Sequence, residues 1–295
     1  CAPAAEMPSP NAVRPAARKL TRRRLLRWSA RAAGAAVLLG AADAFVLEPY
    51  WLRRPRIDVD VRRLPPAWEG VRIALVTDIH LGRLLGPGRL EEVVRLCNAA
   101  GPDAVALTGD FVSRADAITP AAGRALGRLR APLGRFAVLG NHDHTTSAAA
   151  VAALLAGANI ELLTNRHRLL RRDGPPLCLG GVDDVTRGRP DLGAALAGAP
   201  ADAPRILLCH NPDYAEDLPP APRVDLMLCG HTHGGQVRLP LVGAPVLPIH
   251  HRRYAEGLVA GPRCPVFVSR GVGTIGLPVR FRCRPEIPIL TLRRA

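Results

Sequence analysis

The sequence predicts an α/β fold, in which buried strands alternate with helices. Apolar runs of strand length recur from residues 71–77 to residues 287–292. In the first half of this region, segments with helical spacing of apolar residues lie between consecutive runs. This alternation is typical of parallel strand–helix units. Hydrophobic residues make up 48% of the 295 residues, which is enough for a substantial core, but only 4% are aromatic. Alanine, leucine and valine must therefore fill that core.

Three segments precede the predicted domain. Residues 1–20 are rich in alanine and proline and lack an apolar period, so we expect a disordered tail. Residues 21–50 combine a basic stretch with an apolar run, the layout of a signal peptide or a membrane anchor. Residues 51–70 form a basic, proline-containing linker, in which 57–61 is a candidate edge strand.

The segment 21–50 resembles a twin-arginine export signal, because paired arginines, a spacer and two leucines stand at residues 22–26. The apolar run at residues 32–47 holds about 16 residues, fewer than the roughly 20 that a full membrane span requires. A cleaved signal, a retained anchor and a buried or amphipathic N-terminal helix are all compatible with this pattern.

Residues 71–295 are predicted to form one domain. Its strands are expected at residues 71–77, 104–108, 135–139, 160–163, 168–170, 177–179, 205–209, 224–229, 266–268 and 287–292. Its helices are expected at residues 90–99, 121–129 and 148–155. The loop that follows strand 224–229 is rich in proline and glycine, and its part at residues 241–249 is unusually apolar.

Polar side chains follow five of these strands, where ligands of α/β sheets usually bind. They are Asp78, His80, Asp110, Asn141, His210, His231 and His233. Carboxylates together with imidazoles suit Mn²⁺, Fe²⁺ or Zn²⁺ better than Ca²⁺. Seven ligands exceed one tetrahedral site but fit two ions, and Asp110 is the natural bridge between them. Helix capping or turn formation explains single positions, such as Asp78 or Asn141, but not all five positions together.

These blocks also carry a resemblance to a known family. Five short motifs resemble, in order, the calcineurin-like metallophosphoesterase signature. They are Asp78-x-His80, Gly109-Asp110, Gly140-Asn141-His142-Asp143, His210 and Gly230-His231-x-His233. The likeness covers about residues 71–293, and the motif at residues 231–236 with the leader is similar to a bacterial subgroup of exported or membrane-attached phosphodiesterases. The resemblance implies the metallo-dependent phosphatase fold, a four-layer α/β/β/α sandwich of two mixed sheets.

The resemblance also implies a role for each residue. One divalent metal ion would be held by Asp78, His80, Asp110 and His233, and a second by Asp110, Asn141, His210 and His231. The ions would be Mn, Fe or Zn. His142 would act as the general acid, and Asp143 would hold its imidazole in the useful tautomer. Arg270, which follows another strand, is a candidate phosphate contact.

The implied activity is the hydrolysis of phosphate esters, with a phosphodiesterase favoured, by a metal-activated hydroxide. Three alternatives remain open: a pyrophosphatase acting on a nucleotide-lipid precursor such as a UDP-sugar lipid, a non-catalytic metal-binding protein, and a nuclease. An intact His142 argues against pure metal binding, since binding alone would not require it. No recognisable DNA-docking motif supports the nuclease.

Charge and the leader give expectations for partners and location. The formal net charge is +15, but eight of the basic residues fall within residues 14–31, so no specific nucleic acid partner is expected. The apolar loop 241–249 makes a lipid-linked phosphoester one option for the substrate. We expect a membrane-attached or exported protein with its catalytic domain outside the cytoplasm, and the cytoplasmic face is the alternative. The sequence makes no prediction about protein partners.

Overall fold

The computed structural model describes residues 21–82 and 85–295, so the tail predicted for residues 1–20 lies outside the described residues. The chain divides into two compact units at Ala41 and Ala42. Helix α1 (Arg22–Ala42) buries none of its residues. By length and composition, the helical stretch Arg22–Tyr50 is suited to cross a membrane.

The second unit contains two mixed sheets of six strands each. In sheet order, the first consists of β1 (Arg56–Val61), β12 (Ile289–Arg294), β2 (Arg72–Val76), β3 (Ala104–Thr108), β4 (Arg135–Val138) and β5 (Glu161–Leu162). The second consists of β10 (Gly257–Ala260), β11 (Pro265–Val268), β9 (Leu226–Cys229), β8 (Arg205–Leu208), β7 (Leu177–Gly181) and β6 (Arg166–Leu170). Strands β2 to β5 are parallel, as are β7, β8, β9 and β11, and antiparallel pairing occurs at β12–β2, β6–β7 and β10–β11.

Among the described residues of this unit, five α-helices follow strands. They are α2 (Pro87–Ala99), α3 (Pro120–Gly127), α4 (Asn141–Gly157), α5 (Leu192–Ala195) and α6 (Tyr214–Asp217). Local sequence sets where they start: Thr119 caps α3 by accepting a hydrogen bond from the N–H of Ala122. Gly140 caps α4, and the Asp143 carboxylate reaches back to the Gly140 N–H.

Three apolar clusters separate the layers of the sandwich. Between the first sheet and helices α2–α4 lie residues such as Leu90, Leu107, Leu126 and Leu155. Between the two sheets lie residues such as Leu75, Val138, Leu208 and Leu228. On the other face of the second sheet lie residues such as Leu196, Leu207, Met227 and Tyr254. Adjacent strand residues such as Leu207 and Leu208 enter different clusters, as strand alternation requires. The predicted α/β sandwich of two mixed sheets is confirmed.

Several elements differ from the sequence prediction, among them the short helices α5 and α6, which were not predicted. Helix α4 begins at Asn141 rather than at residue 148, because Gly140 and Asp143 supply an N-terminal cap. Its helical path is interrupted at Ser147 (φ −178°, ψ 98°), so the predicted stretch corresponds to the second part of α4. Strand β10 was not predicted, since it is a four-residue edge strand with half of its side chains exposed. The early start of α4 places Asn141 and His142 in its first turn.

Candidate metal centre

The seven predicted metal ligands lie in loops or helix starts at the carboxyl ends of five parallel strands. Asp78 and His80 follow β2, Asp110 follows β3, Asn141 follows β4, His210 follows β8, and His231 and His233 follow β9. Hydrogen bonds tie these loops to one another. The N–H of Asp78 donates to the carbonyl of Gly109 at 3.0 Å, and the N–H of Gly230 donates to the carbonyl of His210 at 3.0 Å. The chain thereby brings together residues that are far apart in sequence.

The first group consists of Asp78, His80 and His233, whose potential ligand atoms all lie within 4.8 Å of one another. His80 Nε2 is 3.0 Å from His233 Nε2, and Asp78 Oδ1 is 3.4 Å from the same His233 nitrogen. All three side chains are buried. Two imidazole nitrogens at this distance need a proton or a cation between them. The arrangement therefore fits a divalent cation that accepts nitrogen and oxygen ligands.

The second group consists of Asp110, His210 and His231. His210 Nε2 lies 3.3 Å from Asp110 Oδ2, 3.1 Å from His231 Nδ1 and 3.2 Å from the side-chain oxygen of Asn141. Asp110 Oδ2 is also 3.5 Å from His80 Nε2 in the first group. The Asp110 carboxylate therefore lies between the two groups, where a bridging ligand would be.

Hydrogen bonds to backbone carbonyls orient two of the imidazoles. His210 Nδ1–H donates to the carbonyl of Thr108 at 2.7 Å, and His231 Nε2–H donates to the carbonyl of Pro248 at 3.0 Å. Each bond places a proton on the outer ring nitrogen and directs the inner nitrogen toward the position that a cation would occupy. His210 would thus bind through Nε2 and His231 through Nδ1.

Glycines allow the loops to approach the carboxylates closely. A Cβ atom on Gly230 would lie 2.1 Å from Thr77 Oγ1 and 2.4 Å from Asp78 Oδ2. A Cβ atom on Gly140 would lie 2.3 Å from Asp110 Oδ1. Any side chain at these two positions would displace a predicted ligand, so the glycines of the motif are required for close packing.

Burial and charge set the protonation of the ligands. Burial lowers the pKa of His80 to about 4 and that of His231 to about 4, and it lowers the pKa of His233 well below the usual range. Burial also acts to lower the pKa of His210, but the negative charge and hydrogen bond of Asp110 outweigh it and hold that pKa well above the usual range. Three of these imidazoles are therefore neutral at pH 7 and have a lone pair available for a metal ion.

His142 forms a third group of potential ligand atoms with His80 and Asp110, all within 4.8 Å of one another, and it lines a cavity at the centre. Its ring centroid is 5.0 Å from that of His80, and its backbone N–H donates to Asp110 Oδ1 at 2.8 Å. The cavity has a volume of about 290 Å³ and includes His80, Asp110 and Asn141 in its lining. His142 is thus positioned at the edge of the candidate metal centre, where a general acid would reach a substrate.

The structure gives Asp143 a role that differs from the predicted one. Its buried carboxylate accepts hydrogen bonds from the N–H groups of Phe111 (2.8 Å), Val112 (3.2 Å) and Gly140 (2.9 Å). As the third residue of α4, it points back toward the start of the helix rather than to the His142 imidazole. Asp143 therefore fixes the loop after Asp110 against the start of α4.

Arg270 also has a different environment from the one predicted. Its guanidinium pairs with Glu256, with 2.6 Å between Arg270 Nε and Glu256 Oε2 and a second bond of 3.1 Å to Glu256 Oε1. Arg270 is not one of the described residues that line the cavity. The fork geometry that suggested a phosphate contact is used on a carboxylate of the chain.

Sequence reasoning gave no role in the cavity wall to Gln236 or Ile275. Gln236 accepts a hydrogen bond from the N–H of Ile275 at 2.8 Å and donates to its carbonyl at 3.0 Å, and both residues line the cavity. Val246 and Pro248, from the apolar loop, line it as well. The position of Gln236 directly after the two histidines and two glycines was the available signal.

Comparison with known proteins identifies the family. Residues 71–235, which include all seven predicted ligands and His142, match the family described as calcineurin-like phosphoesterase. The chain belongs to this family. Calcineurin-like phosphoesterases use divalent metals, and this chain is accordingly a metal-dependent phosphoester hydrolase.

Relatives along nearly the full chain support the assignment to the calcineurin-like phosphoesterases. The uncharacterized metallophosphoesterase YkuE of Bacillus subtilis is 32% identical over 287 residues, which cover 94% of this chain and 99% of the relative. Phosphodiesterase YaeI of Escherichia coli is 33% identical over 287 residues, covering 92% of this chain and 99% of the relative. A Bos taurus transmembrane protein with metallophosphoesterase domain is 35% identical over 255 residues, which cover 81% of this chain and 56% of the bovine protein.

Proposed function

We propose that this protein is a two-metal phosphodiesterase with His142 as its general acid. The observation that carries the proposal is the convergence of two ligand groups on the Asp110 carboxylate, which lies 3.3 Å from His210 Nε2 and 3.5 Å from His80 Nε2. A carboxylate between two such groups is the arrangement that a pair of adjacent cations requires. The relative named phosphodiesterase YaeI supports the diester over other phosphate esters.

The residues would divide the work as follows. One cation would be held by Asp78, His80 and His233, the other by Asn141, His210 and His231, and Asp110 would be shared. When bound, the two cations would offset charge on the phosphoryl oxygens and lower the pKa of an attacking water. His142 would donate a proton to the oxygen of the departing alcohol and stabilise the charge that develops there.

The general acid can be tested with two leaving groups. His142→Ala should retain bound Mn²⁺ and lose about 10²–10⁴-fold in turnover on a diester with an alkyl leaving group. The loss should be smaller for a p-nitrophenyl diester, since p-nitrophenolate departs without a proton. His144→Ala is a matched control, because His144 pairs with Asp183 at 2.7 Å and is outside the described cavity lining. Loss of metal in His142→Ala would show that His142 is a ligand instead.

The finer proposal concerns the membrane. Leu241 is fully exposed and Val242 is two-thirds exposed. Both belong to the apolar loop 241–249, in which Val246 and Pro248 line the cavity. A helix suited by length to a membrane occurs near the start of the chain. We therefore propose membrane attachment, a catalytic domain outside the cytoplasm and a lipid-linked phosphoester as substrate. Carboxyl-terminal reporter fusions active on only one side of the membrane would test the orientation.

Kinetics on two substrates would test the lipid-linked substrate. The double variant Leu241→Ser, Val242→Ser should lose about tenfold in kcat/KM on a diester embedded in vesicles, because it removes two apolar side chains that would contact the membrane. It should keep its kcat/KM on a soluble diester. Leu258→Ser, which changes an exposed leucine on strand β10, is the matched control. Equal rates of the double variant and wild type on the embedded diester would refute a lipid-facing loop.

A further inference from the structure

A turn formed by residues 280–283 lies directly behind the candidate ligand His233. Arg280 is fully buried, and its guanidinium donates to the carbonyl of Arg270 at 2.8 Å and to that of Cys283 at 3.1 Å. Its Nη2 atom also lies 3.4 Å from His233 Nδ1. The Cys283 thiol donates to the carbonyl of His233 at 3.2 Å. The backbone and the ring of His233 therefore both rest on this turn.

The opposite side of the turn is held by residues that directly follow α1 in the chain. Glu48 is a buried carboxylate, only 4% exposed. Its Oε2 atom accepts a hydrogen bond from the N–H of Arg282 at 2.7 Å, and its Oε1 atom accepts one from the N–H of Cys283. The N–H of Arg280 donates to the carbonyl of Ala44 at 2.9 Å. Three backbone N–H groups of the turn thus depend on residues 44–48.

The turn has a conformation that needs such support. Arg282 adopts φ 54°, a left-handed conformation that is unfavourable for a residue with a side chain. Without the Glu48 carboxylate, the N–H groups of Arg282 and Cys283 would lose their acceptor, and leaving such donors unpaired is unfavourable. The turn would relax, and Cys283 and Arg280 would no longer hold His233 in one position.

We propose that Glu48 is a positioning residue of the metal centre, which acts on His233 through the 280–283 turn. The segment 44–48 is then a structural part of the catalytic site as well as the connection to α1. The inference rests on the proposed two-metal function, and it concerns the ligand group of Asp78, His80 and His233. Outer partners of metal-binding histidines commonly contribute 10–100-fold to metal affinity.

The test compares three variants of the full-length protein by Mn²⁺ titration calorimetry, thermal unfolding and kinetics. Glu48→Ala should lower Mn²⁺ affinity at one of two sites about 10–100-fold and reduce kcat with little change in KM. Glu48→Gln, whose amide oxygen can still accept one hydrogen bond, should recover part of both. Asp225→Asn is the matched control, since buried Asp225 also accepts a backbone N–H, from Arg205 at 2.8 Å, in the second sheet.

The outcomes separate positioning from general stability. Asp225→Asn should lower the unfolding temperature without changing Mn²⁺ affinity, whereas the Glu48 variants should change both. Equal Mn²⁺ affinity in wild type and both Glu48 variants would overturn the inference, as would an equal loss of affinity in Asp225→Asn. If wild type binds two Mn²⁺ ions but hydrolyses no diester, the proposed function fails, and the comparison of affinities still decides the role of Glu48.

Discussion

Replacement of Gly140 by alanine should strongly reduce the activity of the enzyme through a single methyl group. Gly140 has φ −107° and ψ 176°, a conformation that alanine adopts freely, so backbone strain contributes nothing. The new Cβ atom would lie 2.3 Å from Asp110 Oδ1, whereas ordinary contacts begin at 3.4 Å. The Asp110 carboxylate must then move by about 1 Å, away from the position between both ligand groups. A misplacement of about 1 Å costs on the order of 10²-fold in rate, equivalent to about 2.7 kcal/mol in the barrier.

The assay is kcat/KM of the Mn²⁺-loaded variant on a soluble diester, with bound metal measured on the same sample. Gly157→Ala is the matched control within the same helix, because a Cβ atom there would meet nothing within 4 Å. Alanine at Gly157 should leave kcat/KM unchanged and stabilise α4 by up to about 1 kcal/mol. Wild-type kcat/KM and metal content in Gly140→Ala would refute the argument that close packing of Gly140 on Asp110 fixes the bridge.

Two further predictions concern protonation and the start of α4. Because Asp110 holds the pKa of His210 above its usual range, the metal-free protein carries a proton there at pH 7. Mn²⁺ must displace that proton, so the affinity for Mn²⁺ should rise with pH. Calorimetry in buffers of different ionisation enthalpy should detect about one proton released per chain on binding. Binding without proton release would contradict this protonation state. Asp143→Asn leaves a buried N–H partner unsatisfied and should lower the free energy of unfolding by about 1–3 kcal/mol in urea titrations, with the shape of the pH–rate profile unchanged. A changed profile with unchanged stability would instead restore the predicted role of Asp143 in orienting His142.

The sequence alone predicted that the seven candidate ligands lie close together, because each of them follows the end of a strand. Strands such as Ala104–Thr108 and Leu226–Cys229 are buried along their whole length, so they read as continuous apolar runs. Parallel neighbours end at the same edge of a sheet, and the polar residues after them therefore meet. This rule brings Asp78 near Asp110 and His210 near His231, but the proximity of Asp110 and His210 also requires the packing of the two sheets, because β3 and β8 belong to different sheets.

The same rule fails where a side chain has another partner nearby. Arg270 also follows an apolar strand, yet Glu256 neutralises it from across the second sheet's antiparallel edge. Asp143 stands next to His142 in sequence, but helix geometry directs its carboxylate to the helix start. Glu48 was not identified at all, because its partners Arg282 and Cys283 lie 234 and 235 positions away and follow no local pattern.

The backbone conformation of the ligands explains why this centre needs such extensive support. Five of the seven predicted ligands have left-handed backbones: Asp78 (φ 53°), His80 (φ 50°), Asp110 (φ 53°), His231 (φ 71°) and His233 (φ 51°). Glycine would adopt this conformation without cost, but it has no side chain to bind a metal. Each ligand therefore retains a conformational cost of about 1–3 kcal/mol that the surrounding structure must offset. The bonds from Asp143 to the loop after Asp110, and from the 280–283 turn to His233, act at two of these positions. Strain at the ligands and buried polar contacts behind them are thus two aspects of one requirement, which is to aim side chains from separate strands at one point.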